Sequence, residues 1–220
     1  MLVALAVSAS RLRMDIVEIS QNKSDTVLGE IHGLITVGQS FLSAYAGLNA
    51  IEVLMATYAR TNTNDLIFHL RHAPESSEDI RVSVTNSTEI DDNSYHRFAF
   101  PPIPDSENQS YYFFMESPRA VPGNAVTVYF TASDTYEGGS AFLNHKRIAG
   151  DLTFKVYREA RLQDAFATSF RGLFACFCAR VPAETYFFAP YFALLIVLTT
   201  VTVKLQLESR RRQKSQSQPH

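Results

Sequence analysis

The sequence predicts an all-β fold, an antiparallel sandwich of two sheets, followed by an amphipathic helix and a single C-terminal transmembrane helix. Three observations predict it. Apolar residues recur with a period of two from Asp25 to Arg158, which is the alternation of half-buried strands. After Arg158 the period changes to three and four residues, as on a helix with one apolar face. An uncharged run from Thr185 to Val203 then meets the lower part of the length range of a membrane-spanning helix.

Residues 1–25 are predicted to form a separate N-terminal segment. The segment starts with MLVALAVSAS, an apolar run followed by small residues, but it lacks the basic residues that open a secretory signal. Three interpretations stay open: a weak signal, the end of a transmembrane helix that begins upstream, and a short soluble start.

Residues 26–158 are predicted to form the β-sandwich domain. Alternation is clearest in the segments LIFHL, HRFAF, AVTVYF and DLTFKVY. Further candidates are EIHGLITV, NAIEVLMATY, DIRVSV and SYYFFMES, which bring the total to about eight or nine short strands. Segments rich in Pro, Gly, Asn, Asp and Ser separate the strands, as expected of turns. Strands and helices do not alternate, so the sheets are predicted to be antiparallel rather than parallel.

Several of these segments together resemble a known fold family. They are GQSF at Gly38–Phe41, LNAIEVLMATY, NDLIFHL, YHRFAFPPIPDSENQSYYFFMES, SDTYEGGSAFLN and GDLTFKVY. They are similar to the jelly-roll sandwich modules of exported or membrane-anchored prokaryotic proteins, of the galactose-binding-like and carbohydrate-binding-module type. The resemblance covers roughly residues 38–157 and implies an antiparallel jelly roll that binds without catalysis, sometimes beside glycan-assembly machinery. It does not supply a ligand, because such folds carry many functions.

The sequence lacks the motifs that indicate common enzyme classes. It contains no G-x-S-x-G elbow, no phosphate-binding G-x-x-x-x-G-K-[ST] loop, no H-E-x-x-H helix and no G-x-G-x-x-G turn. We therefore predict a protein that is not an enzyme and uses no cofactor; a hydrolase with an unrecognised site remains an alternative. The formal net charge of −2 provides no basic field for nucleic acid.

Calcium is a minor alternative as a ligand. Carboxylates in or beside the predicted turns, at Asp91, Asp92, Asp134 and Asp151, join backbone carbonyls as oxygen ligands in this hypothesis. Their spacing matches no recognised calcium loop. Adjacent carboxylates such as Asp91 and Asp92 more often cap turns.

Aromatic residues supply the first candidate for glycan binding. On the predicted strand SYYFFMES, Tyr111 and Phe113 point to one face, and Tyr112 and Phe114 point to the other. An aromatic ring stacks on a sugar with little loss of entropy, so Tyr112 is predicted as a stacking residue. In the alternative interpretation both faces are covered, one by the opposing sheet and one by loops or a neighbouring domain.

The segment SDTYEGGSAFLNH supplies the second candidate. Tyr136, Asn144 and His145 place aromatic and polar groups around a Gly-Gly turn, and we predict that they contact a ligand. A plain hairpin accounts for the same residues equally well.

The C-terminal part is predicted to anchor the protein in a membrane. Residues 159–183 form the amphipathic juxtamembrane helix, which lies in the interface plane or packs on the sandwich. Residues 185–203 form the transmembrane helix, and residues 204–220 form a basic tail. Five basic residues follow the span and two precede it closely, so the tail is predicted to be cytoplasmic and the sandwich to lie outside.

These predictions describe a single-pass protein of the cell membrane with an extracytoplasmic binding or interaction module. The predicted ligands are glycans, and the predicted partners are the membrane and a glycan or a membrane protein. The first alternative is a structural accessory subunit of a larger membrane complex. A complex that handles glycans is one candidate for that assembly.

Overall fold

The computed structural model describes residues 13–161 as an all-β domain of two antiparallel sheets. One short 3₁₀ turn, Ser87–Glu89, interrupts the strands. In chain order the strands are β1 (Arg13–Gln21), β2 (Thr26–Glu30), β3 (Thr36–Ser43), β4 (Leu48–Ala56), β5 (Asp65–Arg71), β6 (Arg81–Asn86), β7 (Ser94–Ile103), β8 (Gln109–Glu116), β9 (Thr127–Thr131), β10 (Ala141–Leu143), β11 (Lys146–Arg147), β12 (Asp151–Leu152) and β13 (Phe154–Arg161).

The first sheet has seven strands. Its main path runs β1-β13-β4-β9-β12, while β2 pairs with β9 and β7 pairs with β4. All of these pairings are antiparallel. The two ends of the described chain meet in this sheet, because Arg13 on β1 lies opposite Arg161 on β13.

The second sheet has six strands in the order β11-β10-β3-β8-β5-β6, again antiparallel throughout. The aromatic strand β8 lies in its interior, between β3 and β5. At one edge lies β6, whose outward side chains Val82 and Val84 are 54% and 60% exposed.

The core lies between the two sheets, and its buried residues alternate along the strands with the predicted period of two. Leu66, Phe68 and Leu70 alternate with half-buried residues along β5, and each has a relative exposure of 0%. The predicted inward row Leu152, Phe154 and Val156 is likewise fully buried. Aromatic rings cross the gap between the sheets: the rings of Phe113 and Phe154 lie 5.8 Å apart between centroids, and those of Phe68 and Phe98 lie 4.4 Å apart. Alternating apolar residues therefore produce the expected shared core.

The sandwich extends beyond the start predicted from the sequence. Strand β1 runs from Arg13 to Gln21 and pairs with β13, whereas the predicted boundary lay at residue 26. A register shift between Val17 and Ile19 interrupts the alternation of β1, and most of its side chains are exposed or half-buried. The apolar period is therefore weak in this strand.

The predicted C-terminal elements lie almost entirely outside the described residues. Strand β13 continues to Arg161, so residues 159–161 are strand rather than the start of the predicted helix. Within residues 13–161, no helix is long and apolar enough to cross a membrane. The predicted transmembrane helix, 185–203, and the basic tail, 204–220, belong to the part of the chain that is not described.

Candidate functional site

The motif residues Gln39 and Asp151 form a buried joint between the two sheets. Gln39 lies on β3 and Asp151 on β12, and both have a relative exposure of 0%. Gln39 Nε2 donates a hydrogen bond to Asp151 Oδ1 at 3.0 Å, and the Leu152 amide donates to Gln39 Oε1 at 3.0 Å. The other carboxylate oxygen of Asp151 accepts the amides of Thr135 and Tyr136 at 2.8 and 3.0 Å. Both oxygens of this predicted calcium ligand are therefore engaged in holding the fold together.

The same joint positions the loop that carries Tyr136. The Tyr136 hydroxyl accepts a hydrogen bond from the Leu42 amide at 3.2 Å, and its ring packs edge-on against Phe154 at 5.5 Å. Burial raises the pKa of Tyr136. In the same loop, a Cβ added at Gly139 would lie 1.7 Å from the carbonyl oxygen of Ser40, so only glycine fits against β3 there. Tyr136 is thus half-buried and contacts the core, which leaves part of its ring for a ligand.

Asn144 and His145 form the turn between β10 and β11. Both have left-handed φ values, 50° and 58°, as the two central residues of a tight hairpin turn require. The Asn144 side chain accepts the Thr36 amide at 3.0 Å, which ties the turn to β3. This geometry is that of a plain hairpin, the alternative given for these residues from the sequence. Both side chains are exposed.

Tyr112 is buried on the outer face of the six-stranded sheet. Its relative exposure is 0%, and it packs in a small cluster with Phe114 and Phe142. Gly38, on the neighbouring strand, leaves the space for its ring. Burial raises the pKa of its hydroxyl, which lies 3.2 Å from His145 Nδ1. The prediction that Tyr112 offers a face to a sugar disagrees with this burial, because neighbouring side chains already cover the ring.

Polar side chains cover the adjacent ring of Phe114. His69 stacks on it with the ring centroids 4.4 Å apart and an angle of 3°, and Arg71 lies 4.6 Å above it. Asp79 bridges these two side chains. Its Oδ2 lies 2.9 Å from His69 Nδ1, and its Oδ1 accepts a hydrogen bond from Arg71 Nε at 2.5 Å. Burial opposes ionisation, yet these hydrogen bonds hold the pKa of Asp79 below its usual value. Both faces of β8 are therefore covered by protein, but Phe114 on the outer face is covered by side chains of the neighbouring strand β5 rather than by loops or a neighbouring domain.

Asp92 caps a strained loop. Its carboxylate accepts the amides of Thr57, Tyr58 and Ala59 at 2.6, 2.9 and 3.2 Å. Tyr58 and Ala59 both have left-handed φ values, which non-glycine residues rarely adopt in succession. Hydrogen bonds from the loop, that of the Thr57 amide first, lower the pKa of Asp92.

The remaining calcium candidates do not form a cluster. Asp91 and Asp134 are exposed, and Asp151 is buried in the joint described above. Within residues 13–161, no group of three or more His, Cys, Asp or Glu side chains is placed to hold a metal ion.

The outer face of the seven-stranded sheet carries a surface that was not predicted from the sequence. We name it the polar sheet face, and it consists of Asp15, Glu52, Tyr95, Arg97, Lys155 and Tyr157. Cross-strand register places Glu52 on β4 directly between Lys155 on β13 and Arg97 on β7. Arg97 binds Asp15 at 2.6 Å and Glu52 at 3.2 Å. Two acids and two bases thus meet on one flat surface.

Two tyrosine rings lie among the charged side chains of the polar sheet face. The Arg97 guanidinium lies 4.2 Å from the centre of the Tyr157 ring, and Lys155 Nζ lies 3.8 Å from that of Tyr95. The Tyr157 hydroxyl donates to Glu52 at 2.7 Å; burial and the adjacent Glu52 raise the pKa of Tyr157 to about 12. All of these groups are half-buried except Asp15, which is exposed. Hydrogen-bonding groups and partly exposed rings therefore lie side by side, with Arg97 and Lys155 over one face of each ring.

Part of this surface is visible in the sequence. In HRFAF and DLTFKVY, alternation places Arg97, Lys155 and Tyr157 opposite the buried residues. Alternation does not say which strands are neighbours. The grouping depends on the order β1-β13-β4, with β7 beside β4, and on the register between these strands.

Comparisons of this chain with protein-family models, with curated proteins and with solved structures found no match. Functional inference therefore depends on the geometry of the residues themselves.

Proposed function

We propose that this protein is a non-catalytic binding module of the cell membrane, with a jelly-roll sandwich outside the cytoplasm, and that it binds glycans through the polar sheet face. The observation that carries the proposal is that Tyr95, Tyr157 and Arg97, each partly exposed, lie beside carboxylates on the outer face of one sheet. A sugar presents apolar C–H faces and hydroxyls together. Flat rings contact the first, and charged or amide groups hydrogen-bond to the second.

The charge of the polar sheet face favours glycans over other ligand classes. Asp15 and Glu52 balance Arg97 and Lys155, so the surface provides no net positive field for nucleic acid. The centre of a protein–protein interface is usually depleted of charged residues, whereas charged residues form the centre of this surface. A neutral, hydroxyl-rich polymer suits balanced donors and acceptors better than either alternative.

Arg97 is the residue through which we expect most of the affinity. Its guanidinium stacks on Tyr157, and 31% of its side chain remains exposed. The existing ion pairs with Asp15 and Glu52 hold the guanidinium in place before a ligand arrives. Preorganisation of this kind lowers the entropic cost of binding.

Titration calorimetry of the full chain against neutral and acidic polysaccharides tests the proposal, in a detergent without a sugar headgroup. We expect saturable binding to at least one polysaccharide and no release of shorter products. Arg97→Ala is expected to weaken binding by about tenfold. The matched control is Arg119→Ala, because Arg119 is exposed and pairs with Asp65 on β5 of the other sheet. Absence of heat across the panel, or equal binding by both variants, contradicts the proposal.

A second candidate function, an accessory subunit of a larger membrane complex, is favoured by strand β6. Its inward residues Arg81, Ser83 and Thr85 are polar, while the exposed Val82 and Val84 point outward. An exposed apolar edge strand is a surface to which a partner strand can add. A photo-crosslinker at Val84 tests this candidate in membranes. Capture of one constant protein supports the candidate, and a crosslink pattern identical to that of a crosslinker at the exposed Glu75 rejects it.

A further inference from the structure

A pocket of about 460 Å³ lies where the described chain begins and ends. Arg13 of β1 and Arg158 of β13 line it, together with Tyr45, Pro102 and Pro104. Its volume falls within the range of small-molecule sites. The pocket is separate from the polar sheet face, since no residue of that face lines it.

Arg158 is the unusual residue of this pocket. It continues the buried row Phe154 and Val156 on β13, so an arginine occupies a core-facing position at the open end of the sandwich. Its relative exposure is 7%. Within residues 13–161, its guanidinium has no hydrogen bond and no ion pair, and it lies 4.4 Å from the centre of the Tyr45 ring.

Neighbouring charges do not neutralise Arg158 directly. Arg13 pairs with Glu159, so that carboxylate is already engaged. Glu18 accepts the Ala44 amide at 2.5 Å and interacts with Arg158 only through its field. Burial raises the pKa of Glu18 above its usual value, against these hydrogen bonds and the field of Arg158. The Arg158 guanidinium lines the open pocket without a hydrogen-bond partner among the described residues, so an anion in the pocket would form charge-assisted hydrogen bonds with it.

A second unpaired charge, of opposite sign, lines the same pocket. Glu107 is exposed, and within the described part of the chain it has no ion pair. A simple anion would satisfy Arg158 and approach Glu107 unfavourably. A molecule that carries both charges complements both residues.

We propose that this pocket binds a small zwitterion of the phosphoethanolamine type, with its phosphate on Arg158 and its ammonium group on Glu107. The guanidinium fork binds two phosphate oxygens at once, and the carbon chain contacts Pro102, Pro104 and the edge of Tyr45. The source of this group is a soluble compound or the headgroup of a phospholipid. The inference concerns a second site and does not depend on glycan binding.

Calorimetric titration of the full chain with soluble phosphoethanolamine, in a nonionic detergent, tests the site. We expect saturable binding that Arg158→Met and Glu107→Gln each weaken by about tenfold or more. Methionine keeps an unbranched stem against Tyr45. The control Arg119→Met removes an exposed guanidinium, whose side chain is 86% exposed, and should leave binding unchanged. Because Glu107 is exposed, Glu107→Gln is expected to fold even if Arg158→Met does not.

Native mass spectrometry of the same chain with added phosphatidylethanolamine or phosphatidylcholine distinguishes the two sources. A retained phosphatidylethanolamine that Glu107→Gln releases assigns the group to a lipid headgroup. Binding of soluble phosphoethanolamine without lipid retention assigns it to a soluble compound. The inference is overturned if neither probe binds saturably, or if Glu107→Gln binds both probes as the wild type does.

Discussion

Replacing Asp151 tests the claim that a buried polar joint holds the two sheets and the Tyr136 loop in place. Asp151→Ala removes the acceptor of four hydrogen bonds, from Gln39 Nε2, from the amides of Thr135 and Tyr136, and from the Thr135 hydroxyl. The surrounding positions are fully or partly buried, and the cavity that remains is polar. We expect a loss of stability without a change of fold.

The donors of the four lost hydrogen bonds differ in whether they find another partner after the substitution. Gln39 Nε2 also donates to the Ser40 carbonyl at 3.2 Å, so it keeps one partner. The amides of Thr135 and Tyr136 belong to a surface loop and gain water in part. A buried donor left unpaired costs about 1–3 kcal/mol. Because these donors partly find new partners, the free energy of unfolding should fall by about 2–4 kcal/mol.

Urea unfolding of the full chain, followed by circular dichroism, measures this change. The sequence contains no tryptophan, so fluorescence offers a weaker signal. The matched control is Asp134→Ala in the same loop, where the exposed carboxylate should contribute no more than about 0.5 kcal/mol. If both variants lose the same stability, or if Asp151→Ala loses less than about 1 kcal/mol, the structural role of the joint is refuted.

Three further predictions concern packing, pH and topology. Phe154→Ala should lower stability by about 3–5 kcal/mol, because the ring packs among Phe41, Phe113 and Tyr136. Lys155→Ala, on the outer face, should lower stability by at most about 1 kcal/mol in the same urea titration. Equal losses in the two variants would mean that the strand register is wrong. The folded-state pKa of Asp79 is lower than its unfolded value, so its contribution is present above about pH 4 and is lost as the pH falls through the folded value. Asp79→Asn should therefore make stability less dependent on pH in acid, and an unchanged acid limb would contradict this. Protease added to intact cells should remove an epitope inserted at the exposed Ser77 and spare one at His220, and the reverse pattern would overturn the proposed topology.

The core could be predicted from the sequence because burial follows alternation directly. Val126, Val128 and Phe130 were placed on one face, and all three are buried. The same rule failed to identify β1, because the irregularity between Val17 and Ile19 breaks the period.

The candidate site could be predicted only in part, because alternation assigns a face without saying what covers it. For Tyr112, the cover comes from Phe142 on β10 and from His145 in the following turn, about 30 positions away along the chain. For Asp151, the structural role depends on Gln39, which lies in the other sheet. Contacts between distant segments decide both cases, and a single sequence does not record them.

The proposed ligand site is the polar sheet face rather than the apolar edge of the other sheet. The most direct test compares Tyr95→Ala with Val84→Ala in calorimetric titration of the polysaccharide that binds the wild type best. Both side chains lie on outer faces, but only Tyr95 belongs to the polar sheet face. We expect Tyr95→Ala to weaken binding by about fivefold or more and Val84→Ala to leave it unchanged. Unchanged binding by Tyr95→Ala together with a loss in Val84→Ala would contradict it.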